Sequence, residues 1–265
     1  MLFTFNMIMK CRVRIIAFSL VIFNSVDCPA QKEADWVLEK MPVDLETDYA
    51  LSALPAHLRA HATVYLLDPS KGFYISRQGS NGFICFVSRT EWEWGEFRKD
   101  LATPISYDAE GAKTIFPLYI DVSRMRASGK FTALQIKDTM MARINRGFYK
   151  APGPGISYMV SPIMRVYPGM PGDNTISTMS WPHIMYYAPY VTDQDLGIPP
   201  GVHEQPPFLN NPSQVVLGER KGPYGYILTP LDKTEKERIL SENTALLKRL
   251  VVYRSYFEVD TSMHH

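Results

Sequence analysis

Two histidines four residues apart, His57 and His61, would share one face of a helix, where a pair of imidazoles can hold a metal ion. Zinc needs a third protein ligand, the chain has no His-Glu-x-x-His string, and Pro55 and the apolar run from Ala62 leave little helix to carry both rings. Capping or surface roles are the alternative, and His57 alone serves equally as a hydrogen-bonded structural residue. His183 stands in the densest aromatic stretch of the chain, Trp181-Pro182-His183-Ile184-Met185-Tyr186-Tyr187-Ala188-Pro189-Tyr190. Rings beside one polar group suit sugars, aromatic acids or quaternary amines, which makes His183, Tyr186, Tyr187 and Tyr190 candidate ligand contacts. The competing reading is a strand with Ile184, Tyr186 and Ala188 toward the core and Met185 and Tyr187 facing away.

Asp108 and Glu110, in Tyr-Asp-Ala-Glu-Gly, offer two carboxylates within one turn. Asp108 as a helix cap and Glu110 at the helix N-terminus account for them structurally. The functional alternative joins them with His57 and His183 as metal ligands or acid/base groups of a hydrolase. Asp193 and Asp195 read as turn and cap residues, because the segment lacks the later ligands of a calcium loop. Cys85, among Phe83, Ile84, Phe86 and Val87, is in an apolar setting that raises a thiol pKa, the opposite of what a nucleophile needs. No Gly-x-Ser-x-Gly, Ser-x-x-Lys, phosphate-binding glycine loop, Cys-x-x-Cys or haem-attachment string occurs, which leaves cofactor and metal unassigned. Gly153-Pro154-Gly155 signals a loop without the strand and helix context of a phosphate site.

The elements that must position these groups follow from the hydropathy pattern. Residues 44–59 have helical spacing interrupted by Pro55. Three β-rich runs, 62–67, 72–77 and 82–89, are separated by turn residues and predict an antiparallel meander, the third run covered on both faces. Phe131, Leu134, Met141, Ile144 and Phe148 recur at helical spacing before an Arg146-Gly147 stop, and residues 112–127 predict an earlier helix weakened by Pro117. Residues 151–230 hold 14 of the 20 prolines and 9 of the 16 glycines, too many for long helices. Short strands at 156–160, 165–167, 184–188, 215–217 and 224–229 fit instead. Lys233 to Tyr253 returns to helix, with Ile239, Leu246, Leu247, Leu250 and Val251 on one face.

The whole chain of 265 residues carries a formal charge of +1, with 28 basic against 27 acidic side chains, and offers no basic stripe for nucleic acid. Its first thirty residues read as a signal peptide: Lys10, Arg12 and Arg14, then an apolar run from Ile15 to Phe23 too short to span a membrane, then Cys28-Pro29-Ala30 before a polar Gln31 start. Lipidation at Cys28 competes, but Asp27 directly precedes that cysteine where small neutral residues are wanted. Removing residues 1–30 leaves 25 basic and 26 acidic side chains, a single cysteine, and so no internal disulfide. The near-glycosylation string Asn211-Pro212-Ser213 is blocked by its proline, and a bacterial periplasm suits this chain better than a eukaryotic secretory route.

Taken together, His57-Leu58-Arg59 ahead of Ala62-Thr63-Val64-Tyr65, then Asn81-Gly82-Phe83-Ile84-Cys85, Tyr107-Asp108-Ala109-Glu110-Gly111 and Pro182-His183-Ile184-Met185-Tyr186-Tyr187-Ala188-Pro189 resemble strings of an exported bacterial protein family of unassigned function. The resemblance spans most of residues 50–230 and implies one continuous domain. It also implies a disulfide in relatives between the Cys85 position and the position held here by Ser106, which this chain cannot form. It brings no catalytic residues.

The expectation is therefore a single α+β domain over residues 31–265, mainly an antiparallel sheet with flanking helices. Functionally it is an exported, periplasmic or extracellular protein with no membrane span after cleavage, binding a small-molecule ligand or an envelope protein through an aromatic and histidine pocket. A hydrolase using His57, His183, Asp108 and Glu110, and a structural component of the cell envelope, are the alternatives.

Overall fold

The computed structural model describes residues 37–167, 176–198, 208–211 and 221–259. The segment 1–30 expected to be a signal peptide and the strand expected at 215–217 lie outside the described residues. Pro55 acts as the pattern requires: α1 (Val43–Ser52) stops ahead of it, and it begins the short α2 (Ala56–Arg59). The following apolar runs become β1 (Thr63–Asp68), β2 (Gly72–Arg77) and β3 (Ile84–Ser88). Next come β4 (Thr103–Tyr107), α3 (Ala109–Thr114), α4 (Phe116–Ala127) and α5 (Ala133–Asn145). The proline-rich part supplies β5 (Ile156–Met159), β6 (Met164–Val166), β7 (Ser177–Met179), β8 (His183–Tyr187), β9 (Phe208–Asn210) and β10 (Tyr226–Pro230). Two last helices, α6 (Lys233–Glu242) and α7 (Thr244–Tyr253), break at Asn243 where one continuous helix was expected.

Eight strands form one sheet in the order β2-β1-β3-β4-β5-β8-β10-β9, and β6 pairs with β7 in a small second sheet. Every pair in the large sheet is antiparallel except β1 with β3. This corrects the expected meander. After β2 the chain crosses the start of β1 instead of turning back beside β2, because Ser80 and Asn81 donate to the His61 carbonyl and Thr63 donates to Phe83. Gly79 permits the crossing: a Cβ there would sit 2.3 Å from the Ala62 and His61 backbone.

The sheet is covered on both faces, so this is an α+β fold of three layers. Side-chain alternation along β3 sends Ile84 and Phe86 toward α3, α4 and α5, and Cys85 and Val87 toward α1 and α7. Every residue of β3 is buried, as its unbroken apolar run requires. Cys85 pairs across the sheet with Ser106, and burial pushes its thiol up to about 12, so it is an inert core residue.

The face of α5 differs from the expected stripe. Ile136, Met140 and Ile144 are buried, while Phe131, Leu134 and Phe148 are exposed. A capping box between Thr132 and Gln135 starts the helix there and fixes that phase. β4 escaped the pattern because Pro104 interrupts it. The proline is tolerated because the β5 ladder reaches only Ser106 and Tyr107, so no β5 partner waits for its missing N–H.

Candidate functional site

The sheet face under α4 opens, toward β8 and β10, into a cavity of about 600 Å³, a size typical of small-molecule sites. Its floor is made of alternate residues of β4, β8 and β10: Thr103, Ile105 and Tyr107, then His183 and Met185, then Tyr226 and Leu228. Tyr119 of α4 forms one wall. Met164, Val166, Tyr167 and Met179 from the small β6–β7 sheet form another, with Trp181 and the exposed Asn210 at the rim.

The third wall is the segment after β3, where Glu91, Glu93 and Trp94 face the cavity. A 3-10 turn at Trp92–Trp94 sets this alternation: Trp92 is buried as an anchor, and Gly95, at φ 66°, closes the turn by donating to the Trp92 carbonyl. Two guanidiniums, of the buried Arg89 and the half-buried Arg126, hold the rest of the loop. Arg89 donates to the Leu101 and Lys99 carbonyls, and Arg126 of α4 donates to the Arg89 and Arg98 carbonyls with its cation over the Phe97 ring. Asp100 ties the loop to β6 through Arg165 at 2.7 Å. Trp94 then stacks on Tyr167, with centroids 4.7 Å apart and planes at 24°, joining the two walls.

The charge balance of the lining is one-sided. Burial lifts the Glu91 carboxyl to about 8, Glu93 and Glu96 raising it further while the Trp94 side chain, as a hydrogen-bond donor, opposes them. Burial likewise lifts Glu93 to about 7, opposed by its own backbone N–H and by Lys137 of α5. No Lys or Arg lines the cavity among the described residues. Tyr107 hydroxyl lies 3.4 Å from those of both Tyr119 and Tyr226, and burial holds all three phenols neutral, well above the ordinary tyrosine range.

His183, only 2% exposed, is the predicted residue that the cavity contains. Its Nδ1 is 2.7 Å from the Trp181 carbonyl oxygen, which can only accept, so the ring proton sits on Nδ1. Burial pushes the imidazole down to about 4 against that hydrogen bond, leaving a neutral ring with an acceptor lone pair on Nε2. The buried hydroxyls of Thr90 and Tyr167, in the same lining, have no hydrogen-bond partner among the described residues.

The other candidates lie elsewhere. Strand alternation buries His183, Met185 and Tyr187 and turns Tyr186 outward, 46% exposed, reversing the faces expected for a structural strand at this position. Tyr187 is a core residue whose hydroxyl donates to Asp108 and Ile156, and Tyr190 is exposed at a left-handed φ of 63°. Asp108 caps α3 through the Gly111 N–H and also accepts from the Ile156 N–H, while Glu110 accepts from the Gly153 N–H. His57 and His61 are exposed, on and just after α2. Of His57, Asp108, Glu110 and His183, only His183 lines the cavity, and no group of three or more His, Cys, Asp or Glu is placed to hold a metal among the described residues.

Glu91 and Glu93 went unremarked as functional groups in the sequence, where Glu-Trp-Glu-Trp reads only as an aromatic connection. The signal was two acids alternating with tryptophans directly after a fully apolar strand. Compared with family models, curated proteins and solved structures, the chain matches none. Among the described residues no helix is long and apolar enough to cross a membrane.

Proposed function

We propose that this is an exported small-ligand-binding module whose site is the cavity between β4, β8, β10, Tyr119 and the Glu91–Trp94 turn. One observation carries the reading: a cavity of ligand size is lined by Thr90 and Tyr167, whose buried hydroxyls have no hydrogen-bond partner among the described residues. Unpaired buried polar atoms are costly, and a bound ligand supplies what they lack. The rigid supports around the site, from the Arg89 and Arg126 braces to the Trp94–Tyr167 stack, suit preorganised binding.

The test is a thermal-shift screen against sugars, aromatic acids and amines. A true ligand at a hundredfold its Kd stabilises the fold by about 2.7 kcal/mol, which for a chain of this size raises Tm by roughly 5–10 °C. Asn210→Trp, a change at the exposed rim, should plug the mouth and abolish the shift while preserving the fold. A flat response across the panel, or a shift unaffected by the plug, overturns the reading.

A further inference from the structure

The polar lining is rich in acceptors. Glu91 and Glu93 contribute carboxylates, and His183 contributes a lone pair at Nε2 because its proton is committed to the Trp181 carbonyl. His183 is 2% exposed and lines the same space as Thr90 and Tyr167, whose buried hydroxyls have no hydrogen-bond partner among the described residues. A second anion would face Glu91 and Glu93 with no lining Lys or Arg to balance it. A neutral sugar would satisfy hydrogen bonds but bring no positive charge to the neighbouring Glu91 and Glu93 carboxyls, which Lys137 of α5 meets only from outside the lining. The apolar part of the lining is methionine, aromatic ring and the aliphatic Ile105, Val166 and Leu228, and the ring quadrupole favours a cation.

From this we infer that the ligand is an organic ammonium, a primary or secondary amine on an apolar body, its charge met by Glu91 and Glu93 and one N–H directed to His183 Nε2. The inference rests on reading the cavity as a ligand site and deepens it. An N–H-bearing ammonium fits better than a quaternary one, because only the former can hydrogen-bond the carboxylates and the imidazole lone pair.

The experiment compares four probes of one shape: phenethylamine, its trimethylammonium analogue, phenethyl alcohol and phenylpropionate. Each is measured by thermal shift and tryptophan fluorescence on the full chain, on Asn210→Trp, and on the Glu91→Gln/Glu93→Gln double variant. The amine should bind at least tenfold more tightly than the other three, and the double variant should erase that advantage. Equal or tighter binding of the alcohol, the trimethylammonium probe or phenylpropionate overturns the assignment, as does amine binding that survives the double substitution. Should the double variant fail to fold, the ranking of the four probes on the unmodified chain decides alone. If another class binds and the Asn210→Trp plug abolishes it, the ligand site stands and the ammonium assignment falls. If no probe and no member of the wider screen binds, both fall.

Discussion

His183 donates its Nδ1 proton to the carbonyl oxygen of Trp181 at 2.7 Å, and the Trp181 ring covers the imidazole with centroids 4.4 Å apart. This fixes tautomer and orientation together, turning a residue that ordinarily titrates near neutrality into a fixed acceptor on the cavity floor. Nitrogen-15 NMR of labelled protein should show the Nδ1–H tautomer and a midpoint near 4. A base with a depressed folded pKa contributes stability that is complete above its unfolded value and lost as pH falls from 6.5 through 4. The loss is on the order of 3 kcal/mol, and a His183 titration near 6.5 would contradict the buried, neutral ring.

Glu46 gives the opposite slope. It is 2% exposed on α1, accepts the Leu67 N–H at 2.8 Å, and burial raises its carboxyl to about 7 despite that bond and the more distant Arg89 and Lys40. Folding therefore favours the protonated acid, and stability falls as pH rises from 4.5 through 7. Glu46→Gln keeps an acceptor oxygen and should remove that decline, gaining on the order of 3 kcal/mol over the parent at pH 8. Denaturant unfolding at pH 5 and pH 8 checks it; the same difference at both values would refute the assignment.

Asp108 and Tyr187 are predicted to matter for the fold. Tyr187→Phe removes hydrogen bonds to Asp108 at 3.0 Å and Ile156 at 2.9 Å, and should cost about 1–3 kcal/mol. Asp108→Ala loses the α3 cap and the acceptor for the Ile156 N–H as well, so it should cost more than Tyr187→Phe. Guanidinium unfolding measures both, and ligand affinity in folded Tyr187→Phe should match the parent within a factor of about two, well inside 1 kcal/mol.

Amine binding should be linked to protons. Glu91 and Glu93 are faced by Glu96 on their own loop, Lys137 on α5, Tyr119 on α4, Tyr226 on β10 and neutral His183 on β8. With folded values of about 8 and 7, both carboxyls are partly protonated at neutral pH, and an ammonium must displace those protons. Titration calorimetry in buffers of different ionisation heat should show proton release at pH 7, and affinity should rise from pH 6 to pH 8.5. Proton uptake, or affinity that falls over this range, would contradict the linkage.

Much of the fold is legible in local pattern. The Pro55 break, the strands β1, β2, β3, β5, β6, β8 and β10, and the Asp108 cap all follow from residues within a few positions of each other. The parallel placement of β3 beside β1 was not legible. It depends on the close approach of Gly79 to the His61 and Ala62 backbone, a tertiary contact with no local hydropathy signature. The site divides in the same way. His183 stood out by its aromatic neighbours, but the side of β8 that faces the cavity is decided by β5 and β10. Glu91 and Glu93 become a site only because the Arg89 and Arg126 braces fold their loop over the sheet.

Trp94 and Trp181 both line the cavity, so its occupancy can be read from the protein's own fluorescence. The most direct measurement is a titration of the full chain with phenethylamine at pH 8, read by that emission, beside the same titration of Glu91→Gln/Glu93→Gln. The account predicts a saturable change in the parent that weakens at least tenfold in the double variant. An unsaturable response in the parent, or identical curves for the two proteins, would contradict it.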